Sequence, residues 1–256
     1  MRHNFIDRYS GLGSQIHRLD PRIKFVCMLF FAVSVVTTPP DIFYVYGAYA
    51  ALVLLLIIVS KVPMTYILGR ACLILPFVLM TALFLPFWKT SPDSSSSLII
   101  MGLRLENHRL MLVGSVIIKA FLAALAMILL SSSTPFNSLL KGLQSLKFPR
   151  ILLMIISFMY RYIFVVTDQA MRMNRARESR ACGHNKIGQL RVLTNMIGLL
   201  FIRAYERAER VYQSMVSRGF NGEIRSIHEL KLSRADYLFT IVFLGSVITI
   251  KLMGGL

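Results

Sequence analysis

Acidic residues are scarce in this chain, with 12 Asp and Glu against 29 Lys and Arg in 256 residues and a formal charge of +17. The three cysteines, Cys27, Cys72 and Cys182, are isolated, and the first two lie in or beside apolar runs. That leaves no disulfide framework and no thiolate metal site, and they read as small apolar fillers. The five histidines, His3, His17, His108, His184 and His228, are scattered. None pairs at i, i+4 or with a cysteine in ligand spacing, so no metal is expected. No G-x-x-x-x-G-K-[ST] phosphate cradle occurs. No catalytic residue and no cofactor-binding residue is identified. No cleavable signal peptide is expected either, because Met1 to Arg22 is polar and the first apolar run starts at Ile23.

What the chain has in quantity is apolar residues. At 55% hydrophobic and a mean hydropathy of +0.62 it exceeds an ordinary soluble domain, so it is read as an integral membrane protein. A bilayer core of about 30 Å asks for about 20 mostly apolar helical residues. Five segments are predicted to cross: Ile23 to Thr38, Ile42 to Val59, Ala71 to Trp88, Leu110 to Leu130 and Tyr237 to Ile250. The first two, joined at Pro39-Pro40, form an antiparallel hairpin. The third holds Pro76 and Pro86 and is expected to kink, since proline removes a backbone donor. Lys119, the only charge in the interior of one of these runs rather than at its edge, reads as a snorkelling anchor. Between the third and fourth runs, Lys89 to Ser97 is a polar loop. Leu98 to Arg109 fits a short hairpin or a helical lead-in equally well.

Two further apolar runs, Ile151 to Thr167 and Val192 to Ile202, are read as faces of long helices at or under the membrane surface. The first has Arg161 at its centre, which would cost a spanning helix about 2.5 to 3.5 kcal/mol, and the second is too short to cross. Ser132 to Arg234 holds 17 of the 29 basic residues and 6 of the 12 acids, which suits the cytoplasm. The expected organisation is a cytoplasmic N-terminal segment (1–22), a four-helix membrane region (23–131), a cytoplasmic helical region (132–234) and a final spanning helix (235–256). The N-terminus would lie inside. The fold class is therefore all-α, a membrane protein with about five transmembrane helices plus long cytoplasmic helices.

The cytoplasmic region divides into three predicted helices. Thr134, as N-cap, and Pro135 open the first, Phe136 to Leu146. Pro149 opens the second, which runs to about Cys182. The third, from about Ile187 to Arg218, stops at Gly219. Sliding the second onto the third by 38 residues matches Asp168 with Glu206, Ala170 with Ala208 and Arg172 with Arg210. It also matches Ser179-Arg180-Ala181 with Ser217-Arg218-Gly219. On the third helix Arg203, Arg207 and Arg210 alternate with Glu206 and Glu209, so charges can pair along it. Arg180 and Arg218 differ from these solvated residues. Each ends a helix between small residues that leave the guanidinium uncrowded, and its fork matches a carboxylate in a bidentate pair. Stabilising the helix dipole accounts for one such arginine, and less well for the repeat.

These motifs resemble the transmembrane T component of energy-coupling factor transporters, the ATP-driven uptake systems for metals and vitamins. In that family two cytoplasmic coupling helices each end in an Ala-Arg-Gly type motif. The copies here begin with serine, and Ala181 replaces the usual glycine, but the central arginines match. Arg161-Tyr162-Ile163, Arg207-Ala208-Glu209-Arg210 and His17-Arg18-Leu19-Asp20-Pro21-Arg22-Ile23-Lys24 also resemble family sequence. Phe5-Ile6-Asp7-Arg8-Tyr9 is similar to the cobalt branch. The resemblance implies an L- or X-shaped pair of coupling helices. Two ATP-binding cassette subunits would receive Ser179, Arg180, Ala181, Ser217, Arg218 and Gly219, with Arg161, Asp168, Arg172, Glu206 and Arg210 in support. A separate substrate-binding membrane subunit would rest on the apolar faces. ATP would be used by the partners, with no cofactor and no nucleic acid bound by this chain. Residence in the cell inner membrane and a link to cobalamin biosynthesis follow from the same likeness.

Three classes of function are thus in view. The first is a coupling subunit for cobalt, with nickel or a vitamin as alternative cargo. A membrane-embedded enzyme is the second, and would need polar residues converging inside the spans. The third is a basic anchor for anionic lipid or nucleic acid.

Overall fold

The computed structural model describes residues 13–40, 42–84, 97–100, 103–180, 186–222 and 232–254. The described helices, in chain order, are α1 (Gln15–Arg18), α2 (Pro21–Thr37), α3 (Phe43–Ser60), α4 (Met64–Phe84), α5 (Asn107–Ser133), α6 (Phe136–Ser145), α7 (Arg150–Arg180), α8 (Lys186–Val216) and α9 (Arg234–Met253). Strands β1 (Ser97–Ile100) and β2 (Leu103–Glu106) pair antiparallel, Ser97 opposite Glu106, just before α5. Of the stretch left open by the sequence, residues 98–100 and Leu103–Glu106 are therefore paired strands, and residues 107–109 already belong to α5. The fold is otherwise all-α.

Helix ends follow local chemistry. Asp20 caps α2 by accepting the Arg22 N–H at 2.9 Å, with Pro21 in the first turn. The Asp236 carboxylate reaches back to accept the Ser233 N–H at 2.8 Å, the return half of a capping box at the start of α9. Two expectations need correction. The third apolar helix starts at Met64, not Ala71, because Pro63 offers its carbonyl to the N–H groups of Tyr66 and Ile67. Arg70 is accommodated inside the helix with its guanidinium 4.7 Å from the centre of the Tyr66 ring. Its predicted end at Trp88 and Pro86 lie outside the described residues. Pro135 is the residue that receives the first helical bond of α6, from the Leu139 N–H at 3.1 Å, while the Thr134 hydroxyl is occupied by Lys24.

Contacts divide the chain into two units: Asn4–Gly142 with Leu230–Leu256, and Met1–His3 with Leu143–Glu229. In the first, α2 packs against α5 and α9, and α5 packs also against α3 and α4. Phe31, fully buried, meets Tyr49 edge-on at 5.6 Å and Phe243 at 6.3 Å, and Phe239 stacks on Phe243. Val35, Val53, Leu129 and Val247 fill the space around them. The exterior is apolar as well: Leu29, Val33, Leu55, Ile58, Leu73, Phe77 and Ile241 are all exposed. A surface of this kind belongs in hydrocarbon.

Five helical stretches are long and apolar enough to cross a membrane: Phe43–Ser60, Met64–Ala82, Leu112–Ser133, Arg150–Arg180 and Arg234–Met253. This set differs from the predicted one. At 17 residues and about 25 Å, α2 stands at the lower limit of length for a span, whereas α7 qualifies by its apolar first half. Lys119 is not a free snorkelling anchor: its ammonium donates to the Val36 carbonyl at 3.3 Å, near the C-terminal end of α2. Lys251 adds a bond to Thr37 Oγ1 at 3.1 Å.

At the opposite end of α2 the bundle holds buried charge. Lys24 is 2% exposed, and its Nζ donates to the carbonyls of His17 and Ser133, each at 3.3 Å, and to Thr134 Oγ1 at 3.5 Å. Asp236, 3% exposed, accepts the Asp20 N–H at 2.9 Å. The ammonium lies in the field of both carboxylates, the compensation that a buried charge requires.

The second unit contains α7 and α8, each of 31 residues and in contact with one another. Among the described residues its only buried apolar side chain is Leu153. Both helices leave apolar side chains bare: Ile151, Ile155, Met159 and Ile163 on α7, and Ile197, Phe201 and Ile202 on α8.

Candidate functional site

The candidate docking residues picked out in the sequence sit at the C-terminal ends of α7 and α8. On α7 the Ser179 hydroxyl turns back to the Arg175 carbonyl at 3.0 Å, which keeps it out of the way of Arg180. The nearby acid, Glu178, is already engaged: Asn174 Nδ2 donates to it at 2.7 Å and Arg177 lies 3.9 Å away. Arg180 is the last helical residue and is exposed, and it makes no ion pair among the described residues. Ala181 and Cys182 lie outside the described residues.

The end of α8 is built differently. The regular helix stops at Val216, two residues earlier than expected, and Ser217 to Gly219 form a closing turn. Gly219 takes φ +81°, its N–H donates to the Val216 carbonyl at 2.9 Å, and the Phe220 N–H donates to the Met215 carbonyl at 3.0 Å. This is a Schellman ending, which needs a residue free to adopt the left-handed conformation. The Ser217 hydroxyl folds back to the Ser214 carbonyl at 3.1 Å. Arg218 projects from the turn, exposed and, among the described residues, without an ion pair. Both guanidiniums thus stand where the helix dipole is negative and where nothing on their own helix competes for them.

The supporting residues are spread along the same helices. Glu206 and Arg210 form an i, i+4 pair at 3.8 Å, as their spacing predicts. Arg161 is exposed, with its guanidinium 5.9 Å from the Tyr162 ring centre. Asp168 is partly buried and has a partner, and Arg172 is exposed. Thr167, Ala170, Met171, Asn174 and Arg175 line a shallow open groove along α7. Among the described residues no three His, Cys, Asp or Glu side chains gather as metal ligands, and His17 Nδ1 is in contact with Ser14 Oγ at 2.6 Å.

Chain geometry keeps the two tips apart. Arg180 and Lys186 are six residues apart and so at most about 23 Å, while α8 extends about 45 Å beyond Lys186. Arg180 and Arg218 are therefore separated by about 20 Å or more. One small groove cannot take both.

The stretch from Gly13 to Glu229, both tips included, matches the family described as cobalt transport protein, CbiQ. The chain belongs to that family. It is 25% identical over 248 residues to an uncharacterized protein of Methanocaldococcus jannaschii, covering 93% of this chain and 82% of the relative. It is 26% identical over 226 residues to the energy-coupling factor transporter transmembrane protein EcfT of Streptococcus thermophilus, covering 85% of each. Over 96 residues it is 31% identical to the cobalt transport protein CbiQ of Rhodobacter capsulatus, covering 38% of this chain and 39% of that one. Family membership and the apolar helices together make this a multi-pass membrane protein and the membrane component of a transporter.

Sequence reading missed the buried Lys24, Asp20 and Asp236. The burial of Lys24 was not visible, since a lysine beside an apolar run ordinarily marks its boundary.

Proposed function

We propose that this chain is the coupling subunit of an ATP-driven energy-coupling factor uptake transporter, with cobalt as its cargo. In this reading α7 and α8 lie on the cytoplasmic side, and Arg180 and Arg218 each seat in an acidic groove of one of two ATP-binding cassette subunits. A guanidinium entering such a groove forms a bidentate pair that strengthens as water leaves. Closure of the two nucleotide-loaded subunits would carry the tips toward each other. The helices would scissor, and the movement would reach a substrate-binding membrane subunit resting on the bare apolar faces of α7 and α8. ATP hydrolysis belongs to the partners, and this chain is not an enzyme. The family match, the names of the relatives and the basic excess of the α7–α8 region support the reading.

The observation that carries it is the pair of exposed arginines, each at a helix end and without an ion pair among the described residues, that lie too far apart to share one groove. The test is co-purification. Arg180→Ala with Arg218→Ala is expected to lose the ATPase subunits while the chain still inserts and folds. Retention of both subunits by the double variant would overturn the docking role. Cargo is tested by uptake of cobalt against nickel in cells expressing the full set of subunits. An equal or greater uptake of nickel would overturn cobalt.

A further inference from the structure

The buried charges at the entry of α2 have no part in docking, yet they sit where the chain leaves the bundle. Three segments meet there. Lys24, near the start of α2, binds the carbonyls of His17 and Ser133 and the Thr134 hydroxyl, so it ties α2 to α1 and to the junction between α5 and α6. Asp236, in the first turn of α9, holds the Asp20 N–H, which ties α9 to the same entry. Gly142 closes the arrangement from α6. A Cβ added there would meet the Arg22 nitrogen at 3.3 Å and the Pro21 carbonyl carbon at 3.4 Å, so α6 lies backbone against backbone on the first turn of α2.

We infer that Lys24, Asp20, Asp236 and Gly142 form a clasp that fixes the root of α6 to the bundle, so that displacement of the helices that follow α6 moves the bundle instead of bending the joint. The inference rests on the reading that α7 and α8 are moved by nucleotide-driven partners. Its physical basis is the cost of opening. Pulling the start of α6 away from α2 would break the Lys24 bonds to Ser133 and Thr134, the two residues that lead into α6, and leave a buried ammonium short of acceptors, which makes this joint stiffer than apolar contact alone would. Lys24 and Asp236 are positioning residues, since each acts through the segments it ties together.

The test is hydrogen–deuterium exchange of the chain in lipid nanodiscs, alone and bound to its ATPase subunits. Lys24→Met is expected to speed exchange of the α6 amides at least tenfold, to leave α3 unchanged and to keep the ATPase subunits bound. Adding ATP to the unaltered complex should change exchange in α7, α8 and Leu125–Ser133 of α5. In Lys24→Met the change should stay within α7 and α8. A purely structural lysine would lower stability without separating those responses. Gly142→Ala, which removes no charge, should give the same pattern more weakly, and it serves if Lys24→Met is not recovered from membranes. The clasp is overturned if α6 exchange is unmoved by either variant, if the unaltered complex shows no ATP response in Leu125–Ser133, or if that response survives Lys24→Met. Failure of the docking reading is seen separately, as ATPase subunits retained by the double arginine variant, and α6 exchange in the isolated chain still judges the clasp.

Discussion

The bundle and the α7–α8 unit are both helical and both rich in apolar side chains, but they use those side chains in opposite ways. In the bundle Phe31, Tyr49 and Phe243 meet at a centre that excludes lipid and solvent alike, and the buried Lys24 and Asp236 are hydrogen-bonded by neighbours. In the other unit Leu153 is the only buried apolar side chain among the described residues, and Phe201, Ile197 and Ile155 stand bare. A region that makes its own core has its structure set by its own sequence. One that leaves its apolar residues uncovered is completed by its surroundings, whether lipid or another protein. The contrast separates the part that holds the molecule together from the part that is available to move.

The largest effect expected from this contrast comes from two phenylalanines. Phe31→Ala removes a fully buried ring and should cost about 3 kcal/mol or more, seen as a lower midpoint of thermal unfolding in detergent. Phe201→Ala, at a position 72% exposed, should leave that midpoint unchanged. Equal losses at the two sites would mean that α8 has a core of its own and would break the comparison. The next effect is at the tips. Either single variant, Arg180→Ala or Arg218→Ala, should cost about 2 kcal/mol or more of partner affinity, a fall of about 30-fold. The unfolding midpoint should not move. A drop in the midpoint would show that the arginines serve the fold and not a partner.

Much of this architecture could be read from apolar runs, because burial in lipid imposes a long uncharged stretch whatever the tertiary contacts are. The predicted starts of α2, α3, α6 and α9 lie within three residues of the observed ones for that reason, helped at α6 by Pro135. Where a charge sits near an apolar run the sequence is ambiguous. The third helix begins before Arg70, which lies over Tyr66 inside α4, Lys119 reads as a snorkelling anchor but binds a helix end, and Lys24 reads as the edge of the first run but is buried. In each case the deciding partner lies on another turn or another helix, which periodicity does not register. The tips were legible because the signal is repeated, Ser179-Arg180 and Ser217-Arg218 at a fixed offset of 38 residues, and a repeat needs no tertiary information to be seen.

The smallest effect sharpens the difference between the tips themselves. Gly219 and Gly222 both hold positive φ, at +81° and +88°, and a Cβ at either would meet nothing within 4 Å, so alanine at each carries only the backbone cost of about 1 kcal/mol. Only Gly219 closes the turn from which Arg218 projects, through the bonds of its own N–H and that of Phe220. Gly219→Ala should therefore speed amide exchange at Phe220 and weaken ATPase retention severalfold, while Gly222→Ala should leave retention unchanged. Gly219→Asn should fall between them, since asparagine tolerates the left-handed region. Arg180 ends a plain helix, so the α7 tip should hold its partner equally well in all three variants. If Gly219→Ala and Gly222→Ala weaken retention to the same extent, the turn at the end of α8 has no part in aiming Arg218, and the arginine reaches its groove from a flexible end.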